Sequence, residues 1–203
     1  MPHSRYILPS LPILKSRPPA GERWIHEVKF DGWRAQLHKD GPEAMILSRG
    51  GHDFTDRFPE LRDSIRCLPV RSVIIDAEIT ACDRNGLPDF YELMRGAQHG
   101  LCAWCFDILE IAGKDLKPRT LLERKMYLRH LLAKADDDFL RYSEEFEDAE
   151  RLLVTGARMG LEGIVSKLAD QPYRSGKNLG WIKVKTAQWR EANRDRWEMF
   201  ERR

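Results

Sequence analysis

Two strand-like segments, Trp24 to Val28 and Trp33 to His38, flank Lys29-Phe-Asp-Gly32, and this stretch constrains the fold more than any other. Asp-Gly between two such runs is the commonest signal of a tight turn, so the local pattern predicts a β-hairpin with an exposed lysine beside it. Further strands follow. Met45 to Ser48 ends at Arg49-Gly50-Gly51, and the β-branched run Ser72 to Ala81 puts Asp76, Glu78 and Thr80 on one face and Ile75, Ala77 and Ile79 on the other. Leu101 to Leu109 directs Cys102, Trp104, Phe106 and Ile108 one way and Asp107 the other. Glu162 to Leu168 and Trp181 to Lys185 complete the set, and in the last Lys183 and Lys185 share a face opposite Ile182 and Val184.

Helical periodicity appears where the alternation stops. Phe58, Leu61, Ile65 and Leu68 mark one amphipathic helix with Thr55 as its candidate cap, and Phe90 to Met94 a short one. Thr120-Leu-Leu-Glu123 is a capping box opening a helix lined by Leu121, Leu128, Leu132 and Ala135 and closed by acidic residues 136–138. Another helix is expected from Glu144 to Met159, with Gly160 as its C-terminal cap. Pro9, Pro12, Pro18 and Pro19 make residues 8–23 an extended arm packed on the surface. Asp83 to Gly86 reads as a turn and Tyr173-Arg-Ser-Gly-Lys177 as an exposed loop. The tail, 186–203, spaces Trp189, Trp197 and Phe200 along one helix face that docks on the body, with base stacking on nucleic acid as the alternative.

With 203 residues, 42% of them hydrophobic, the chain can bury one core. A net charge of +2 excludes a bulk electrostatic signature of nucleic-acid binding, so any such role rests on local patches. Pro9 and Pro12 interrupt the apolar residues before Lys15, which leaves neither a signal peptide nor a membrane span and predicts a cytoplasmic chain with no membrane partner. Cys67, Cys82, Cys102 and Cys105 are irregularly spaced and fit reduced thiols. Cys102 and Cys105 fall on opposite strand faces, which disfavours zinc.

The chemistry these residues suit is attack on a nucleotide α-phosphate. A lysine amine is a nucleophile only when neutral, and at pH 7 only about one free lysine in two thousand is neutral. Companion cations such as Lys183 and Lys185 are expected to depress the pKa of Lys29 and to cradle the phosphate. A divalent cation on carboxylates would offset phosphate charge, Glu78 suits ribose hydroxyls, and Phe106 suits a flat base. Each residue alone has a plainer reading: Glu78 as a salt-bridged strand residue, Phe106 as a core aromatic, the two lysines as a solvated face.

Taken in order, the segments closely resemble the covalent nucleotidyltransferase superfamily of ATP-dependent DNA ligases, RNA ligases and mRNA capping enzymes. Lys29-Phe-Asp-Gly-Trp-Arg34 is similar to its first motif, Ser48-Arg-Gly-Gly51 to the next, and Asp76-Ala-Glu78-Ile79 to the third, with Ala77 at the usual glycine. Phe106-Asp107 resembles the adenine-stacking motif, Glu162-Gly-Ile-Val-Ser-Lys167 the fourth and Trp181-Ile-Lys-Val-Lys185 the fifth. Trp24, Phe54-Thr-Asp-Arg-Phe-Pro-Glu60 and Tyr173-Arg-Ser-Gly176 most resemble the ligase domain of bacterial end-joining DNA ligases.

The resemblance implies an α+β fold of two twisted antiparallel sheets flanked by helices, an ATP-grasp-like nucleotidyltransferase domain spanning 1–186, followed by the helical tail 187–203. It implies that Lys29 attacks ATP to form lysyl-AMP, that AMP passes to a 5′-phosphate at a nick in DNA, and that the strand is then sealed in repair. By position, Glu27 would meet the adenine edge, Phe106 its face, Arg34 and Glu78 the ribose, and Arg49 the ribose or the nick phosphate. Lys183 and Lys185 would meet the α-phosphate, and Glu162 with Glu78 would hold Mg2+ or Mn2+. Asp31 and Lys167 are supporting members, Lys167 the weaker because its strand parity opposes that of Glu162. Nicked or broken duplex DNA is the implied partner, in a bacterial, nucleoid-associated setting.

Only residues 186–203 follow Lys185, whereas the five-stranded OB domain of such ligases needs at least roughly 40 to 50 residues, so that domain is expected to be absent. A separate OB-domain or end-joining protein would then complete the activity. The alternatives are a non-catalytic module that binds nicks or breaks, and an RNA ligase or guanylyltransferase on the same scaffold.

Overall fold

The computed structural model describes residues 5–82, 90–95, 100–135 and 137–194. The turn expected at Asp83 to Gly86, acidic residue 136, and Trp197 and Phe200 of the tail lie outside these residues.

Two sheets face each other. The smaller contains β1 (Ser10–Leu14), β2 (Trp24–Lys29), β9 (Gly163–Leu168) and β10 (Gly176–Lys185), in the order β1-β10-β9-β2. The larger contains β3 (Trp33–Asp40), β4 (Glu43–Ser48), β5 (Ser72–Ala81), β6 (Leu101–Ile111) and β7 (Lys114–Asp115), in the order β4-β3-β5-β6-β7, with β8 (Leu140–Tyr142) also paired to β6. Both are antiparallel except where β1 joins β10 and β8 joins β6 in parallel. Residues 8–23 therefore contribute a sheet strand as well as an arm.

Helices cover the outer faces. α1 (Pro59–Cys67) and α3 (Leu121–Ala135) pack on the larger sheet, where Leu61, Ile65, Leu128 and Leu132 join Leu37, Ile75, Ile79 and Ile108 in the main core. α4 (Ala149–Arg158) covers the smaller sheet through Leu152 against Ile164, Ile182 and Val184. Between the sheets, Ile74 and Leu109 meet Tyr173 and Trp181. α2 (Phe90–Met94) and α5 (Ala187–Ala192) are short. Among the described residues no helix is long and apolar enough to cross a membrane.

The expected hairpin at Asp31-Gly32 does not form. β2 pairs with β9 and β3 with β4 and β5, so the connection carries the chain from one sheet to the other. Gly32 is needed for closeness: a Cβ there would lie 2.1 Å from the Ile79 carbonyl oxygen. Gly163 does the same on the facing sheet, where a Cβ would lie 2.0 Å from the Val184 carbonyl oxygen.

Other local readings also change. Irregularities in the β5–β6 register break the alternation of β6, so Ile108 joins the main core while Phe106 packs with Trp181. Thr55 begins a single 3-10 turn and accepts from Ile46 N (3.0 Å) instead of capping α1, which starts after Phe58. α4 begins at Ala149, five residues later than the periodicity suggests, because Phe146 is bridged to His26 and the Asp148 side chain caps Arg151 N at 2.9 Å. Tyr173 is buried, donating to Asp76 Oδ2 (2.9 Å) and accepting from Ser10 N (2.9 Å), so its loop ties the two sheets. The capping box at Thr120–Glu123 forms as expected, and Gly160 takes a φ of 72° at the end of α4. The four cysteines are reduced, with Cys102 against Cys82 (3.9 Å) and Cys105 in the main core.

Candidate active site

A cleft of about 810 Å³ opens between the sheets. Its lining includes Glu27, Lys29, Asp31, Arg34, Arg49, Glu78, Phe106, Glu162, Lys167, Lys183 and Lys185, so every candidate site residue is brought to one place. Strand parity explains part of this convergence. Ile182 and Val184 turn outward into the α4 core, which turns Lys183 and Lys185 inward. Lys167 shares the inner face of β9 with Val165, whereas Glu162 precedes the strand, so the parity argument against Lys167 does not apply.

Glu162 is the electrostatic centre. Its Oε2 lies 2.7 Å from Lys29 Nζ and its Oε1 2.9 Å from Lys185 Nζ. Burial alone would raise the Glu162 carboxyl, but the two ammonium groups outweigh it and hold the carboxyl below its ordinary range. Burial likewise works to lower Lys29, yet Glu162, Glu78 and Asp31 together push its amine above the ordinary lysine value. The expected depression by companion lysines is thus reversed at Lys29, because carboxylates are its nearer neighbours. It does occur at Lys183, lowered by burial and then by Lys29 and Lys185, and at Lys185, lowered chiefly by burial. Glu78 titrates at about 7, raised by burial against the pull of Lys29 and Arg34.

The floor of the cleft is held by buried ion pairs. Glu27 is 2% exposed, with Oε1 bound by Lys125 Nζ (2.9 Å) and Oε2 by Lys167 Nζ (2.7 Å) and Ser143 Oγ (3.1 Å). Both its oxygens are engaged, so a base edge meeting Glu27 would share it with these donors. The two lysines outweigh burial and keep Glu27 ionised. Arg34 forks onto Asp76 with Nε–Oδ1 at 3.0 Å and Nη2–Oδ2 at 2.7 Å, and its guanidinium lies 5.2 Å from the Phe106 ring centroid. Lys167 Nζ lies 4.5 Å from the same ring. Phe106 therefore offers a face beside two cations and has Trp181 at its edge, with centroids 6.1 Å apart.

Asp76, Tyr173, Lys125, Ser143 and Trp189 escape the residue-by-residue reading. Four carried a signal: Asp76 shares a strand face with Glu78, Tyr173 opens a ligase-like segment, Trp189 lies on a helix face expected to dock on the body, and Lys125 sits at helical spacing between Leu121 and Leu128 on the apolar side of α3. Among the described residues no group of three or more His, Cys, Asp or Glu side chains could hold a metal ion.

A facing-sheet α+β fold with a lysine, carboxylates and further lysines in the cleft defines the class as a nucleotidyltransferase domain. The family described as "ATP dependent DNA ligase domain" matches residues 17–185, and the chain belongs to that family. It is 35% identical over 91% of its length to the multifunctional non-homologous end joining protein LigD of Pseudomonas aeruginosa, covering 22% of that protein. It is 36% identical to a probable DNA ligase of Sorangium cellulosum over 79% of this chain and 33% of that one. The crystal structure of the ligase domain of M. tuberculosis LigD superposes with a TM-score of 0.77 at 26% identity, over 88% of this chain and 60% of that one. A mycobacterial DNA ligase D complexed with ATP and MES gives 0.76 at 28% identity, over the same shares. The chain thus spans about 22 to 33% of the length of these curated relatives.

Proposed function

We propose that this chain is an adenylyltransferase domain of a DNA ligase, forming lysyl-AMP at Lys29 and passing AMP to a 5′-phosphate at a DNA nick. The carrying observation is the pairing of Lys29 with Glu162 at 2.7 Å in a cleft that also holds Lys183 and Lys185. Similarity to a ligase solved with ATP supports ATP as the nucleotide.

In the first step the neutral Lys29 amine bonds to the α-phosphorus while the bond from that phosphorus to the bridging oxygen breaks and pyrophosphate leaves. One proton must leave the ammonium before attack, and a second leaves the nitrogen to solvent or a neighbouring base as the phosphoramidate forms. Glu162, 2.7 Å away, favours the charged ammonium, and the more basic carboxylate acting on Lys29 is Glu78, titrating at about 7. Lys183 and Lys185, partly buried, face the charge that builds on the phosphoryl oxygens. The aromatic face of Phe106 suits adenine, and Arg34, fixed by Asp76, suits the sugar beside it. Arg49, on the cleft wall, suits the ribose or the nick phosphate.

A divalent cation, Mg2+ or Mn2+, would neutralise phosphate charge during transfer. Glu162 and Glu78 would hold it. That donor set fits, since Mg2+ is commonly bound by one or two carboxylates together with substrate phosphates and water. In the second step the AMP phosphorus leaves Lys29 for a 5′-phosphate oxygen of a nicked duplex, and the 3′-hydroxyl then displaces AMP. We assign the adenylyltransferase unit to residues 1–186 and a helical segment to 187–203, with DNA engagement aided by an OB-fold domain or an end-joining protein.

Incubation with α-labelled ATP and a divalent cation, followed by a denaturing gel, tests the reading. Label is expected on the wild-type chain and none on Lys29→Ala. An unlabelled wild type, or label that persists in the variant, contradicts it.

A further inference from the structure

Trp189, on α5, lies at the cleft and touches two of its charged groups. Its Nε1 donates to Asp31 Oδ2 at 3.3 Å, and Lys185 Nζ sits 3.9 Å from the centroid of its ring. The same Nζ lies 2.9 Å from Glu162 Oε1, whose other oxygen is 2.7 Å from Lys29 Nζ. Direct contacts therefore run from Trp189 through Lys185 and Glu162 to Lys29.

The helix that carries Trp189 is tied to the turn that carries Glu162. Thr186 N donates to Glu162 O (2.9 Å), Thr186 Oγ1 donates to Leu161 O (3.1 Å), and Trp189 N donates to that hydroxyl at 3.2 Å. α5 has no buried residue, so it contributes little core. Its indole instead stays half-buried at the cleft wall. A lysine ammonium on a four-carbon stem has many rotamers, and a ring face on one side with a carboxylate on the other leaves it few places to be.

We propose that Trp189 is a positioning residue for lysyl-AMP formation, fixing the Lys185 ammonium through its ring face and the Asp31 carboxylate through its N–H; this rests on the proposed function. The segment after β10 is then part of the active site. Losing one cation–π contact and one hydrogen bond to a charged group is expected to slow reaction by about tenfold.

The test measures single-turnover labelling by α-labelled ATP in the full chain, with unfolding midpoints checked alongside. Trp189→Leu should fall by about tenfold, whereas Trp189→Phe, which keeps a ring face over Lys185 but loses the N–H donated to Asp31, should recover part of the rate. In a Lys185→Ala background, Trp189→Leu should cost less than in the wild type, because the ring contact is already gone and only the bond to Asp31 remains to be lost. Wild-type labelling by Trp189→Leu, or an equal loss in both backgrounds, overturns the proposal. A second readout does not depend on turnover: reductive methylation followed by peptide mass spectrometry should modify Lys185 several-fold faster in Trp189→Leu, and equal rates overturn the proposal. An unlabelled wild type with accelerated methylation sinks the proposed function while leaving the Trp189–Lys185 contact standing.

Discussion

Lys29 Nζ and Glu162 Oε2 lie 2.7 Å apart, so the nucleophile of the proposed reaction rests as an ion-paired ammonium. Glu162 is the largest of the three carboxylate influences that raise the Lys29 amine, against the opposing effect of burial. In the ligand-free protein, Lys29 should therefore titrate above an ordinary lysine, and Glu162→Gln should bring it down. Isotope-edited NMR of the lysine side chains follows both, and an unchanged value in the variant would refute the pairing. The sign for stability follows directly. Glu162 is lowered and Lys29 raised on folding, so the pair stabilises above the ordinary glutamate range and is lost as pH rises through the Lys29 value.

Glu78 behaves in the opposite sense. Burial raises it from 4.5 to about 7, so between those values the folded chain keeps a proton that the unfolded chain has released. Stability then falls as pH rises through that window. Glu78→Gln should be more stable than wild type at pH 8, by on the order of 2 kcal/mol, and nearly equal to it at pH 4.5. Urea titrations at the two pH values decide this, and a difference independent of pH would count against it.

Gly32→Ala should destabilise the chain by roughly 3 kcal/mol or more, since its Cβ would meet the Ile79 carbonyl oxygen at 2.1 Å. The measurement is the urea midpoint. A loss below about 1 kcal/mol, the ordinary cost of backbone change at a permissive glycine, would show that the sheet-to-sheet connection is looser than described.

Arg124 and Asp107 form a pair buried to 1% and 0% exposure, with contacts at 2.7 and 2.8 Å. Arg124→Met leaves the Asp107 carboxylate without that partner and should cost roughly 3 to 5 kcal/mol, whereas the double variant with Asp107→Leu should recover a large part. Thermal or urea unfolding of the two proteins gives the comparison, and equal losses would contradict it.

The sequence displays what strand parity controls. Lys183 and Lys185 alternate with Ile182 and Val184, and that pattern alone turns the lysines toward the cleft. Asp31-Gly32 misleads because turn chemistry is local while sheet membership is not: nothing within ten residues says that β2 pairs with β9, more than a hundred residues on. Phe106 is legible as a residue of the cleft, but the register breaks that set its direction depend on β5. Glu27 is legible as a site residue, yet its partner Lys125 lies 98 positions away on a helix face that reads as core. The raised pKa of Lys29 is hidden from the sequence for the same reason: sequence order shows the lysines near residue 184 but not which carboxylates stand closer.

The central claim is tested most directly by finding the atom that carries the nucleotide. After incubation with ATP and Mg2+, peptide mass spectrometry of the wild-type chain should place one AMP on Lys29, through an acid-labile phosphoramidate bond. An intact chain without the adduct, or AMP attached at another residue, would contradict the account.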